Sequence, residues 1–247
     1  VTNFSGEMLG LFRADSDGQY IDRAPGSDIG RATRQTLGWG CFFFDVDLDG
    51  QQDLLVVNGR LDAARVANGA PAGVSADTPH LFLNAKGRFT DVAREAGETF
   101  ARPKMGRGAA FADIDGDGDL DAVITTNGGP LHLYRTDLPA GNRGLRLRLI
   151  GTASNRDGIG ARATVRVGTA SASRVVRTGS SYLSQSELPL TFGLGTASKA
   201  EDVTIVWPSG RRDALGALDG GVEYTVTEGK GVTGTRAMTS SAKKVNP

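Results

Sequence analysis

Two acidic loops recur at the same offset within two long, similar segments: Asp45-Val-Asp-Leu-Asp-Gly-Gln-Gln-Asp53 and Asp113-Ile-Asp-Gly-Asp-Gly-Asp-Leu-Asp121. Both follow the pattern D-x-D-x-D-G-x-x-D. Carboxylates at alternate positions, a glycine that lets the backbone turn sharply and a closing carboxylate can wrap a hard cation that takes oxygen ligands at about 2.3–2.6 Å. Calcium suits this pattern best. An EF-hand would need a bidentate Glu at the twelfth position and a helix on either side. Here the twelfth position is Val56 in one copy and Ile124 in the other. The flanking runs Cys41-Phe-Phe-Phe44, Leu54-Leu-Val-Val57 and Ala122-Val-Ile-Thr125 are β-branched, aromatic or aliphatic, as in buried strands. Each loop is therefore expected to join two strands. Asp-Gly-rich runs also make ordinary hairpin turns, but recurrence of four matching carboxylates in register favours a metal loop.

The similarity extends beyond the loops. Gly38-Trp-Gly-Cys-Phe-Phe-Phe-Asp45 aligns with Gly106-Arg-Gly-Ala-Ala-Phe-Ala-Asp113 at a spacing of 68 residues, and Gly18-Gln-Tyr-Ile-Asp-Arg-Ala24 aligns with Gly87-Arg-Phe-Thr-Asp-Val-Ala93 at nearly the same interval. One period holds four strand candidates, Trp39–Phe44, Asp53–Asn58, Leu81–Asn84 and Arg88–Val92, which is the content of a propeller blade. Arg60–Thr78 is long for a hairpin connection and reads as an insertion on one face, with a short helix expected over Asp62–Val66. A closed propeller needs several blades, whereas this chain offers one complete repeat with half a repeat on either side. The remaining blades are expected from sequence upstream.

Composition agrees with a turn-rich β protein: 35 glycines stand against 6% aromatic residues in 247. Lys plus Arg equals Asp plus Glu at 28 each, so no overall field favours nucleic acid or an anionic membrane. Cys41 is the only cysteine, which rules out an internal disulfide or a thiolate cage and leaves it as a small core residue. No apolar stretch approaches the ~18 residues of a membrane span. Any export signal is expected upstream of Val1.

After Leu131-His-Leu-Tyr134 the repeat stops, and residues 136–143 are rich in turn formers. A second domain is expected over 144–228. Leu145, Leu147 and Leu149 alternate with Arg146 and Arg148, and similar alternation recurs at Val203, Ile205, Trp207 and at Val222, Tyr224, Val226. Short strands with Gly, Ser and Asn between them point to a small β-sandwich or barrel. Residues 229–247, small, polar and mildly basic, read as a disordered tail. The fold class is therefore all-β: a partial β-propeller over 1–135 followed by a small sandwich-like domain.

These blocks resemble FG-GAP/VCBS-type repeats, as in integrin α-subunit propellers, followed by the ASPIC/UnbV domain of the cartilage acidic protein family. For the repeats the resemblance rests on F-x-D-x-D-x-D-G-x-x-D-L, Leu81-Phe-Leu-Asn84 and Gly87-Arg-Phe-Thr-Asp-Val-Ala93. For the second domain it rests on Asn155-Arg-Asp-Gly-Ile-Gly-Ala161, Gly179-Ser-Ser-Tyr-Leu-Ser-Gln185, Phe192-Gly-Leu-Gly195 and Trp207-Pro-Ser-Gly210. The resemblance implies a secreted, periplasmic or cell-surface propeller with calcium in its blade loops, used for binding rather than chemistry. It implies two calcium sites: Asp45, Asp47, Asp49 and Asp53 with the Gln51 carbonyl, and Asp113, Asp115, Asp117 and Asp121 with the Asp119 carbonyl. Asp15-Ser-Asp-Gly18 lies where the repeat has a plain hairpin turn and is not assigned a metal.

Other polar clusters have structural readings. Asn155-Arg-Asp-Gly158 makes a turn, although Arg156 and Asp157 could line a pocket with Tyr182, Ser184 and Gln185. Trp207-Pro-Ser-Gly210 is most simply a strand terminus with a core Trp. The short Gly-x-Gly segments do not open a helix, so they do not form a dinucleotide loop. His80 and His132 are the only imidazoles, both placed in blade strands, and loop aspartates held ionised by a dication make poor proton donors. The expectation is a non-catalytic adhesion or binding module for an extracellular protein or glycan. The alternative is an accessory or catalytic part of an exported carbohydrate-active enzyme.

Overall fold

A computed structural model describes residues 1–60, 76–139 and 141–239. The helix expected over Asp62–Val66 lies outside them. The chain opens with a two-stranded hairpin, β1 (Phe12–Ala14) and β2 (Tyr20–Asp22), followed by the short helix α1 (Asp28–Thr33). A four-stranded antiparallel sheet comes next: β3 (Gly38–Phe44), β4 (Asp53–Asn58), β5 (His80–Ala85) and β6 (Arg88–Asp91), paired in sequence order. After a single helical turn, α2 (Glu98–Ala101), the pattern restarts with β7 (Gly106–Ala112), β8 (Asp121–Thr126) and β9 (His132–Tyr134). Among the described residues one four-stranded blade thus stands between a two-stranded and a three-stranded sheet, a partial propeller.

Strand β4 shows why blades stack. All six of its residues, Asp-Leu-Leu-Val-Val-Asn, are buried, and alternate side chains serve opposite faces. Leu55 and Val57 join Phe42, Phe44, Ala109, Leu120 and Ile124 in the core shared with the next blade. Leu54 and Val56 face the other way, onto Leu9, Ile29 of α1 and Phe82. A strand covered on both sides reads as a continuous apolar run rather than an alternating one. The inner strands also come close together: a Cβ on Gly106 would lie 2.2 Å from a Val57 methyl and 2.8 Å from the Asn58 carbonyl, which explains the glycine that opens β7.

Residues 136–143 connect β9 to β10 (Gly144–Ile150), the first strand of a β-sandwich. One sheet runs β13 (Leu190–Gly193), β10, β16 (Val222–Thr227), β17 (Gly231–Ala237), with β10 and β16 parallel. The other runs β12 (Ala170–Val175), β11 (Arg162–Val167), β14 (Lys199–Val206), β15 (Arg212–Asp219). Leu145, Leu147 and Leu149 pack between the sheets against Val165, Phe192, Ile205 and Trp207. Strand β17 corrects the expectation of a disordered tail from residue 229. Its β-branched Val232, Thr233 and Thr235 lie on a strand antiparallel to β16, and ladder hydrogen bonds hold a segment too polar to announce itself by hydrophobicity.

Glu228 ties this domain together. Its buried carboxylate accepts from the amides of Thr152 and Ala153 at 2.8 Å and Ser154 at 2.7 Å, and from the hydroxyls of Ser154 and Ser209. Burial opposes its charge, but the converging donors outweigh burial and hold its carboxyl at about 2, against an ordinary 4.5. The unfolded chain therefore takes up this proton first as pH falls, so the contribution of Glu228 is complete at neutral pH and is lost progressively below about pH 5. Acid titration of unfolding midpoints should show this loss, and Glu228→Gln should flatten it. In the blades, Leu55→Ala should cost about 2–5 kcal/mol in denaturant unfolding, because the cavity it opens lies between two packed sheets.

Candidate metal centres at the domain interface

The two acidic loops occupy equivalent turns, 45–52 between β3 and β4 and 113–120 between β7 and β8. Ligand oxygens of Asp45, Asp47 and Asp49 lie within 4.8 Å of one another, and those of Asp113, Asp115 and Asp117 do the same. The turn is wound by side chain to backbone bonds: Asp49 N donates to Asp47 Oδ1 and Gln51 N to Asp49 Oδ1, while in the second loop Asp117 N donates to Asp115 Oδ1 and Asp119 N to Asp117 Oδ1. Gly50 and Gly118 take the left-handed conformation, with φ of 93° and 98°.

The closing aspartates do a second job. Asp53 accepts from Val46 N at 2.9 Å and Asn84 N at 2.8 Å, one with each oxygen. Asp121 accepts from Ile114 N and Thr136 N, both at 2.9 Å. Each carboxylate thereby sews its loop to the following strand or connection. Gln51 reaches Asp49 and the Lys86 amide through its side chain, and Asp119 accepts from Leu138 N.

The first cluster fits an oxygen-seeking cation on its own geometry. Asp45 is 1% exposed, its Oδ2 accepts from Gly50 N, and its Oδ1 has no hydrogen-bond partner although fully buried. A buried carboxylate oxygen without a partner is costly unless a ligand meets it. Burial, then repulsion from Asp53 and Asp49, pushes the Asp45 carboxyl up to about 7. Burial likewise raises Asp53 and Asp119 to about 6, against the pull of the amides that Asp53 and Asp119 accept. Asp47, Asp115 and Asp121 are also raised, chiefly by burial. A cation held there would favour the charged form of these carboxylates and so oppose the upward shift.

Both loops lie against the second domain. Beside the first, Arg174 stacks over the Phe192 ring at 5.3 Å and shares a cavity of about 290 Å³ with Asp45, Ser186 and Glu187. Beside the second, Arg146 is almost fully buried, with Nε 3.3 Å from Asp113, a two-pronged bond to Glu187 at 2.6 and 2.8 Å, and a 3.2 Å bond to Glu223. Burial alone would lower the Arg146 guanidinium, but its carboxylate partners hold it above its ordinary value. The arginine face of β10, legible as a charged stripe, is thus the face that seats on the blades. The role of Arg146 was not readable, since Asp113, Glu187 and Glu223 are far apart in sequence.

The remaining sequence candidates find structural partners. His80 Nδ1 contacts Asp91 at 2.6 Å and its ring stacks on Phe82. Asn155 bonds both the amide and the carbonyl of Ile159, closing its turn. Trp207 is buried, with Nε1 donating to Asp213 at 2.8 Å. Asp15 accepts from Asp17 N and Gln19 N in the β1–β2 turn. Tyr182 packs edge-on against Trp39 at 4.9 Å, and Arg107 lies over the same indole at 4.2 Å.

Comparison with family models matches residues 58–124 to the FG-GAP-like repeat and residues 151–233 to ASPIC and UnbV. The first acidic loop precedes the matched stretch, so its equivalence to the second rests on the internal repeat. No curated protein matches the chain.

Removing the Arg146 guanidinium would leave three carboxylates facing one another in a buried seam. Arg146→Met should therefore cost about 3–5 kcal/mol, measured by chemical denaturation, with Arg146→Lys recovering part of the loss.

Proposed function

We propose that this chain, an FG-GAP repeat protein with a C-terminal UnbV domain, is a calcium-stapled, non-catalytic binding module of a secreted, periplasmic or cell-surface protein. The observation that carries this reading is the pair of aspartate triads, the first including Asp45 with a buried oxygen that has no hydrogen-bond partner. All-oxygen donors of high negative charge in a flexible turn suit calcium better than a softer or smaller ion. Asp45, Asp47 and Asp49, with Asp53 and the Gln51 carbonyl completing the set, would hold one ion. Asp113, Asp115 and Asp117, with Asp121 and the Asp119 carbonyl, would hold the other. Bound calcium would supply charge neutralisation and a cross-link between adjacent strands.

The chain's own residues favour binding over turnover. The carboxylates best placed for proton transfer are the ones a dication would keep ionised, and His80 is tied to Asp91 and stacked on Phe82. Around Tyr182, which packs on Trp39, the loop carries left-handed Ser181 and Leu183, and Leu183 is 88% exposed. Such a rigid, half-apolar projection suits contact with an extracellular protein or glycan. No helix among the described residues is long and apolar enough to cross a membrane.

Calcium titration by calorimetry should give two binding events, and millimolar calcium should raise the melting temperature by several degrees relative to EDTA. Asp49→Ala and Asp117→Ala should each remove one event. A flat titration together with an EDTA-insensitive melt would overturn the proposal.

A further inference from the structure

We infer that Asn142 and the Gly193–Gly195 segment are positioning elements of the first metal loop, so that cation binding there and docking of the UnbV domain are one coupled equilibrium. This rests on the reading of that loop as a cation site. Three consecutive contacts support it. Gly193 N donates to Asp45 Oδ2 at 3.0 Å, Gly195 N donates to Leu48 O at 2.9 Å, and Asn142 Nδ2 donates to Asp47 O at 2.8 Å. The second domain and its connection therefore grip a ligand carboxylate and the backbone of two loop residues.

The grip on Asp45 sets which of its oxygens is available. With Oδ2 held by Gly193 N and Gly50 N, Oδ1 is the oxygen left without a partner. The approach is close enough to require glycine: a Cβ on Gly193 would lie 2.3 Å from Asp45 Oδ2 and 2.6 Å from Leu48 O. The loop carries strain that the docking offsets. Leu48 has φ of 58°, where the second loop has Gly116 at 81°, and a non-glycine residue is held in that region only by its surroundings. Here the surroundings are the second domain, since Leu48 is 3% exposed and presses on Gly144 and Gly193. The second loop is engaged differently, through the Arg146 charge and the side chains of Arg236 and Met238 lying over Gly116 and Gly118.

Whatever preorganises a site for its ligand is itself stabilised by that ligand, by the same factor. Calorimetric calcium titration of the full chain carrying Asp117→Ala, which leaves only the first loop to report, tests this directly. Adding Asn142→Ala should weaken affinity about fivefold, and adding Gly193→Val about tenfold or more. Neither should alter the second loop's affinity in an Asp49→Ala background. In the Asp117→Ala background calcium should also slow proteolysis of the 136–143 connection, and adding Asp49→Ala should abolish that protection. If the parent binds calcium and Asn142→Ala binds it equally well with unchanged proteolysis, the coupling is refuted while the metal site stands. If the parent binds none, the metal reading itself fails. Should Gly193→Val not fold, the exposed Asn142→Ala decides alone.

Discussion

Carboxylate repulsion within two tight turns is the constraint to which the rest of this structure answers. Each turn draws ligand oxygens of three aspartates to within 4.8 Å of one another, and burial of Asp45 against the second domain strengthens the repulsion there, while Asp49 and Asp115 stay exposed. The chain meets this in layers. Asp53 and Asp121 are satisfied by backbone amides, Asp113 faces a buried arginine, and Asp45 accepts two amides while one of its oxygens stays unmet. What these solutions leave unmet is Asp45 Oδ1, at the turn that the second domain and its connection hold through Gly193, Gly195 and Asn142.

Arg146 shows how the domain seam distributes charge. It lies on the central strand β10, flanked in register by Thr191 on β13 and Glu223 on β16, and it bonds both. Glu223 in turn is shared with Arg148 and Arg236. A buried ion pair in isolation often fails to repay its desolvation. A network in which Arg146 meets three carboxylates, and Glu223 three guanidinium groups, loses less.

Most of the architecture was legible because it is periodic. The loop repeat, the four strands of the complete blade and the change of pattern after Tyr134 follow from spacing and side-chain alternation, and Asp53–Asn58 coincides with the observed strand. What sequence could not show depends on contacts between distant segments. Gly231–Ala237 is a strand because β16 offers it a partner, not because its side chains demand burial. The Phe192-Gly-Leu-Gly195 block carries part of the family resemblance, and its Gly-x-Gly spacing is otherwise legible only as too short for a dinucleotide loop. Its glycines become intelligible only beside Asp45 and Leu48. Glu228 gave no local signal, as its donors come from Thr152–Ser154 and Ser209.

The two loops are near copies in sequence and yet differ in what surrounds them. Position four is leucine in one and glycine in the other, and both adopt positive φ. In an isolated turn glycine is the easier choice, so leucine at this position makes sense only if its side chain is useful elsewhere. Its burial against Gly144 supplies that use. The repeat therefore encodes the fold of both turns, while the deviation at position four marks the turn that docks through a buried apolar side chain rather than through Arg146 and Arg236.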